Sequence, residues 1–375
     1  MAQKMNIVKK LFQGFVLDKI KKTDWANGST NPLVVELDAT EACDLACPGC
    51  VSEDIIANKG RFSNERLLSL GVELKEAGVK AVILIGGGEP LMHPVIGNFM
   101  RYLGEHDVHL GITTNGTLID KYLDTIAEFS SWTRISMDAA TQQTFDRLRP
   151  SRNGDSKFHH VVNNMRKLAR VKNGKMGFSF LIRTEADGFG IKPNINEIYA
   201  AALMARDIGC NYFEVKPSYA YAGGIDHALV VHSEERMRDA RKEVDRLNAL
   251  DTDSFKIMKA INLEESLTGV KNAQNKNYHR CPVSELRTLI CPSGVFICPY
   301  WRGKENFRIG DAQKMSFAEL WNGKRRKEVM AFANPSQKCM FHCLRHESNI
   351  EILRIIKDLK DGKDVDVVDE YDRFI

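Results

Sequence analysis

Between residue 33 and about residue 243, short apolar runs alternate with longer stretches of helical periodicity. This alternation restricts the fold more than any other feature of the 375-residue chain. Residues 33–37, 81–85, 108–113, 133–137, 177–182 and 212–215 read as strands. Residues 64–77, 98–106, 118–129, 159–171 and 195–208 read as helices. Six strand-then-helix units imply a parallel sheet, because parallel neighbours need crossover connections. In such sheets the functional loops leave the C-terminal ends of the strands.

The first strand runs into Cys43-Asp44-Leu45-Ala46-Cys47-Pro48-Gly49-Cys50. Three thiolates within eight residues can fold around one soft metal centre. A structural zinc site normally closes with four ligands, so zinc here needs a fourth from elsewhere. Three cysteines and a free fourth position suit an iron–sulfur cube with one open iron, where a substrate or cofactor can coordinate. The second strand ends in Gly86-Gly87-Gly88-Glu89-Pro90. Glycines there let backbone approach a ligand, and Glu89 can bind an ammonium; the plainer alternative is an ordinary glycine turn.

Cys-x3-Cys-x2-Cys directly after the first strand resembles the signature of the radical S-adenosylmethionine (SAM) superfamily. Gly87-Gly88-Glu89-Pro90 resembles its GGEP motif, which grips the methionine amino group of SAM. The resemblance covers roughly residues 33–225 and implies a partial (β/α)6 TIM-like barrel. It further implies a [4Fe–4S] cluster on Cys43, Cys47 and Cys50 that binds SAM. Thr114, Asn115 and Gly116 end the third strand, and Ser136 and Asp138 end the fourth. In relatives these positions often contact the ribose. Arg183 ends the fifth strand and Lys216 the sixth, and either suits a carboxylate of SAM or of the substrate; loop caps and surface charges are the alternatives. One departure is Gly49, where the family often carries an aromatic residue near the adenine.

Cys281, Cys291, Cys298, Cys339 and Cys343 form a second group. Residues 291–298 read as a β-hairpin, and 316–321 as a helix start. The region resembles a twitch domain, the truncated form of the SPASM domain, giving a small C-terminal cysteine-rich α+β domain. That resemblance implies a second [4Fe–4S] auxiliary cluster on Cys281, Cys298, Cys339 and Cys343, with Cys291 left over or substituting for one of them. A zinc site on the same four thiols is the alternative. Cys210 stands alone before the sixth strand. A lone buried cysteine usually acts as a small hydrophobe, although Cys210 or Cys291 could instead return a hydrogen atom to a substrate radical.

The expected divisions are an N-terminal amphipathic helix over 1–32, the barrel over 33–245 and a helical bridge over 246–280. The auxiliary domain follows over 281–348, and a helix and acidic tail over 349–375, with the tail solvated from Asp361 to Asp372. In the N-terminal piece Ile7, Val8, Leu11, Phe12, Phe15, Val16 and Ile20 recur at helical spacing among five lysines. A cap on the main domain is expected; contact of residues 4–22 with a membrane surface is the alternative. There is no secretory pattern and no apolar run long enough to span a bilayer, which points to the cytoplasm. Nine cysteines in a reducing compartment are then free for metal. A net charge of +4, with no basic run interleaved with aromatics, gives no sign of nucleic-acid binding.

The resemblance implies reductive cleavage of SAM to a 5′-deoxyadenosyl radical, which abstracts a hydrogen atom from the substrate, with a flavodoxin- or ferredoxin-type electron donor. The expected substrate is a small molecule, namely a polyol, sugar or aminocyclitol that is oxidised or epimerised. Single-auxiliary-cluster relatives of this kind exist, and only a short piece precedes the first strand. Modification of a peptide or protein side chain is the second expectation. A non-catalytic iron–sulfur protein is the third, although it has no need of a SAM-gripping motif.

Overall fold

The protein is described by a computed structural model covering residues 3–4, 7–220, 228–230, 232–268, 275–368 and 372–375. The six expected strands are present. They are β1 Val34–Leu37, β2 Ala81–Leu84, β3 His109–Thr114, β4 Ser130–Ser136, β5 Lys175–Ile182 and β6 Tyr212–Pro217, paired in parallel in sequence order. Helices α2 Asn64–Glu76, α3 Ile96–Glu105, α4 Leu123–Phe129, α5 Phe158–Val171 and α6 Ile198–Ile208 cross between them, after an N-terminal helix α1 Gly14–Lys22. The result is the expected partial TIM-like barrel.

Residue alternation explains the two faces of the sheet. Val35, Leu37, Val82, Leu84, Leu110, Ile112, Ile135, Phe178, Phe213 and Val215 face outward and have no exposed surface. They pack in one core with the buried faces of the helices, such as Leu67, Leu70 and Leu74 of α2. That helix starts where the Ser63 hydroxyl accepts from the amide of Arg66. Inward-facing Thr113, Arg134, Ser136 and Lys216 are only half-buried, so the barrel interior holds open space.

One expectation is corrected. The segment over 246–280 is not a helical bridge alone. After α7 Glu234–Arg246 it forms strand β7, Lys256–Lys259, which pairs in parallel with β6 and extends the sheet, and the two-residue strand Gln3–Lys4 pairs beyond it. Four residues with lysine at both ends carry too little apolar signal to read as a strand. Beyond the acidic tail, the last two residues pack against the sheet. Phe374 and Ile375 are buried, Phe374 edge-on to Trp132 with ring centroids 5.4 Å apart.

The cysteine-rich region is joined to the barrel through the sheet. Strand β8, Arg287–Cys291, pairs in parallel with β1, on the side away from β2. Strands β9 Gly294–Phe296 and β10 Arg308–Gly310 then continue it antiparallel. Helices α8 Phe317–Asn322, α9 Lys324–Phe332 and α10 His346–Lys360 follow. The N-terminal stripe is spent on packing. Leu11, Val16, Leu17 and Ile20 are buried with Ile352 and Ile355 of α10, Phe374 and Ile375. The apolar face that a membrane surface would need is therefore covered. No helix among the described residues is long and apolar enough to cross a membrane.

Where β1 and β8 meet, the Arg287 guanidinium donates to Glu36 at 2.6 and 2.8 Å and also to the Ile375 carbonyl. Both side chains are buried. Removing the cation would leave Glu36 as an unpaired charge in the interior, a loss worth about 3–5 kcal/mol. Arg287→Ala should lower the unfolding free energy by that order in a urea titration. The double variant Glu36→Gln/Arg287→Met should recover most of the loss. A single-variant loss below about 1 kcal/mol would show that the pair is dispensable.

Candidate active site

The loop after β1 is clamped on three sides. On one side the Glu89 amide donates to the Ala42 carbonyl at 2.8 Å. A β-carbon on Gly88 would fall 2.1 Å from that same carbonyl oxygen, so only glycine lets the loops approach. On the second side the Glu41 amide donates to the Gly60 carbonyl at 2.7 Å, and the Glu41 carboxylate accepts from the Gly60 amide at 3.0 Å. On the third, the segment following β4 docks. The Ala46 amide donates to the Pro150 carbonyl at 2.7 Å, and the Arg152 Nε to the Cys43 carbonyl at 2.9 Å.

Glu89 lies fully inside this frame. One carboxylate oxygen accepts from the Leu91 amide at 3.1 Å and the Thr114 hydroxyl at 2.6 Å, and the other accepts from the Asn115 amide at 2.7 Å. Burial nevertheless pushes its carboxyl up to about 7, against the pull of these donors. Asn115 turns its side-chain amide to Asp44 at 2.7 Å and lies 4.0 Å from the Cys43 sulfur. Arg149 lies 4.0 Å from the Cys47 sulfur and grips Asp138 at 2.5 and 3.0 Å. Ser136 ends β4 beside them, half-buried.

The site residues drawn from the sequence thus divide. Cys43, Cys47, Cys50, Gly87, Gly88, Glu89, Pro90, Asn115, Ser136 and Asp138 all sit at or just past the C-terminal ends of β1–β4. Asp138 is committed to Arg149 and to the Leu181 amide, which holds it at a φ of 57°. Arg183 is tied to Asp187 and reaches the Pro48 carbonyl at 3.2 Å, so it braces the cysteine loop. Cys210 precedes β6 and lies buried at the opposite, N-terminal edge of the sheet, away from the other candidates. Cys291 ends β8, and its sulfur lies within 3.2 Å of the Ser293 hydroxyl and the Gly294 carbonyl.

Sequence reasoning missed Arg149, Arg152 and Phe189. The Phe189 ring lies where a side chain on Gly49 would be, 2.5 Å from its ideal β-carbon position, and Gly49 has a φ of +64°. The cysteine loop therefore has an aromatic neighbour after all, supplied by the segment after β5. A phenylalanine between Gly188 and Gly190 is the one signal of it in the sequence.

The donor set fits an iron–sulfur group. Burial raises the Cys43 thiol to about 12 and the Cys47 thiol to about 11. These thiols stay protonated until a cation replaces the protons, as thiolate ligation requires. Among the described residues no three His, Cys, Asp or Glu side chains are placed to hold a single ion. A cube spreads its thiolates over several irons instead. The second group converges as well. Cys298 is raised well above the usual thiol range by burial and by Cys343, Cys281 and Cys339. Cys339 and Cys343 are raised to about 12 and 11, by burial first and then by the other thiols. Cys291 has Asp38, Arg302 and Glu41 as its charged neighbours and stands outside that group. The Lys276 ammonium lies near Cys343, Cys339 and Cys281 and donates to the Phe341 carbonyl at 2.8 Å.

A parallel sheet carrying a three-cysteine loop, buttressed by a Gly-Gly-Glu-Pro loop at the ends of its strands, is the arrangement of a radical SAM domain. Residues 38–188 match the family description "Radical SAM superfamily", and the chain carries that domain. It is similar to mycofactocin maturase MftC of Mycobacterium tuberculosis, 29% identical over 144 residues; the match covers 38% of this chain and 36% of that protein. It is also similar to the GTP 3′,8-cyclase of Chlorobaculum tepidum, 33% identical over 116 residues, with 30% of this chain and 34% of that protein covered. The chain thus matches about a third of the length of these relatives. In fold it resembles Streptococcus suis SuiB bound to precursor peptide SuiA. The TM-score is 0.60 at 16% identity, covering 84% of this chain and 70% of that one.

If Glu89 receives the SAM amino group, Glu89→Ala should weaken SAM binding about tenfold or more, the worth of a charge-assisted hydrogen bond. Equilibrium titration of the iron-loaded protein would show it, with iron content unchanged. Loss of iron together with SAM affinity would mean that Glu89 only supports the loop.

Proposed function

We propose that the chain modifies a peptide or protein side chain by radical chemistry. In this reading Cys43, Cys47 and Cys50 hold the SAM-binding [4Fe–4S] cluster, and Cys281, Cys298, Cys339 and Cys343 hold a second one. When bound, these groups supply reductive cleavage of SAM to a 5′-deoxyadenosyl radical and an acceptor for an electron from the oxidised substrate. The single observation that carries the reading is that Cys298 lies within electrostatic reach of Cys281, Cys339 and Cys343, in a region fused to the barrel sheet through β8. The likeness in fold to a protein bound to its precursor peptide extends over 84% of the chain, whereas the cyclase match stays within 30% of it. MftC is likewise named a maturase. These relatives favour a peptide over the polyol, sugar or aminocyclitol expected from the sequence.

The chain's own residues do the positioning. Glu89, fixed by three donors, offers a carboxylate to the SAM amino group. Asn115 and Arg149 direct N–H groups toward the cysteine sulfurs, where hydrogen bonds stabilise the thiolate form. Lys276 and Arg345 place positive charge beside the second thiol group. The barrel walls limit the access of water to the reacting atoms.

Anaerobic reconstitution with SAM and dithionite tests the reading. 5′-Deoxyadenosine should form faster with a pool of peptides than with a panel of polyols and aminocyclitols, and deuterium should transfer from deuterated peptides. Transfer from a polyol alone would overturn it. Iron should fall from about eight to about four per chain when Cys43, Cys47 and Cys50 are replaced by Ala. Replacing Cys339 and Cys343 should leave 5′-deoxyadenosine detectable but remove the oxidised product. Zinc in the wild-type protein would refute the cluster assignment.

A further inference from the structure

Four carboxylates inside the barrel face a guanidinium, whereas Glu89 is held by neutral donors alone. Glu36 faces Arg287 at 2.6 Å, and Asp38 faces Arg302 at 2.8 Å. Asp138 faces Arg149 at 2.5 Å, and Glu214 faces Arg134 at 2.9 Å. The Glu214 oxygen that takes Arg134 is also the one nearest the Lys216 ammonium, at 3.8 Å. Arg134 and Lys216 therefore share one carboxylate, so the Lys216 charge has no partner of its own. A further cation, Arg345, lies with Arg287, Glu36 and Cys343 on the auxiliary side.

Lys216 is placed to use that charge. It is the last residue but one of β6, at the edge of the sheet that carries the cysteine loop. Its nearest charged groups after Glu214 and Arg134 are Asp138 and Arg149, the pair that also lies beside Cys47. About 29% of its side chain is exposed, against 4% for Glu214. Arg134 adds a second donor: its Nε is buried without a hydrogen-bond partner, while its two terminal nitrogens are held by Glu214 and Thr113. On the N-terminal side of Arg134, the Trp132 ring packs edge-on against Phe374.

We infer that Lys216 anchors a carboxylate of the substrate inside the barrel and so fixes which C–H bond faces the radical site. The inference rests on the peptide reading, in which the carboxylate is an acidic side chain or a chain terminus. SAM carries a carboxylate too, and the test separates the two sources.

The test uses the iron-loaded, unreduced full chain with SAM at saturation. The probes are glutarate, glutaramide, and two alanine-based decapeptides that differ only in one Glu or Gln and carry amidated ends. Binding is followed by saturation-transfer NMR. The wild-type protein should bind glutarate and the Glu peptide about tenfold or more tighter than their neutral counterparts. Lys216→Met should abolish that preference, Lys216→Arg should keep it, and SAM affinity should be the same in all three proteins. Binding of glutarate but neither peptide, with the same dependence on Lys216, would keep the anchor and refute the peptide substrate. Equal binding of charged and neutral probes, or no binding of any, would overturn the anchor. So would a loss of SAM affinity in Lys216→Met with the preference intact, because the carboxylate held would then be that of SAM.

Discussion

The approach of the Gly88 backbone to the Ala42 carbonyl is the contact on which the active-site frame depends. The Glu89 amide hydrogen bond to that carbonyl locks the loop after β1 to the loop after β2. Any side chain at position 88 would displace one of them. With the two loops fixed, Glu89 is carried inward to meet Thr114 and Asn115 at the end of β3. Asn115 then reaches back to Asp44 and the neighbourhood of Cys43. Three strand ends are joined in a closed circuit of short hydrogen bonds. Such a circuit keeps thiols and carboxylate in place before any cofactor arrives, which is what pre-organisation of a site requires.

Inside the barrel the governing constraint is the cost of buried charge. Glu36, Asp38, Asp138 and Glu214 each face a guanidinium, a planar donor able to satisfy two carboxylate oxygens at once. This pairing makes a polar interior tolerable and leaves room where Thr113, Ser136 and Lys216 are half-exposed. The outer face of the same strands is largely apolar, so stability and chemistry are separated by the two-residue period of the strand. Lys216 differs from these guanidinium groups in sharing its carboxylate, Glu214, with Arg134.

The auxiliary region is bound to the barrel by backbone rather than by side chains alone. Strand β8 lies next to β1, so the cysteine loop and the hairpin after β8 leave neighbouring strands at the same edge. Arg302 from the hairpin side meets Asp38 from the barrel side, and Arg280 and Arg326 meet the buried Glu285, whose carboxylate also accepts from the Ser29 amide. Motion of one region relative to the other would break sheet hydrogen bonds and buried ion pairs together.

The sequence by itself determined the sheet, the order of its strands and the cysteine loop with its glycine partner. Each of these is written in local periodicity and in residues a few positions apart. The six strands fall within about three residues of where the alternation put them. Tertiary structure decided the rest. Strand β7 has only Ile257 fully buried and is a strand because β6 offers it an edge. Phe189 stands over Gly49 although the two lie 140 positions apart in the sequence. Cys210 and Cys291 look alike as lone thiols in the sequence, yet one lies at the edge of the sheet opposite the motifs and the other at the same edge. That Lys216 shares its carboxylate appears only when Arg134 is found already holding Glu214. Periodicity reports which face a residue takes, whereas pairing across the interior depends on how the strands curve, and no local run of sequence encodes that distance.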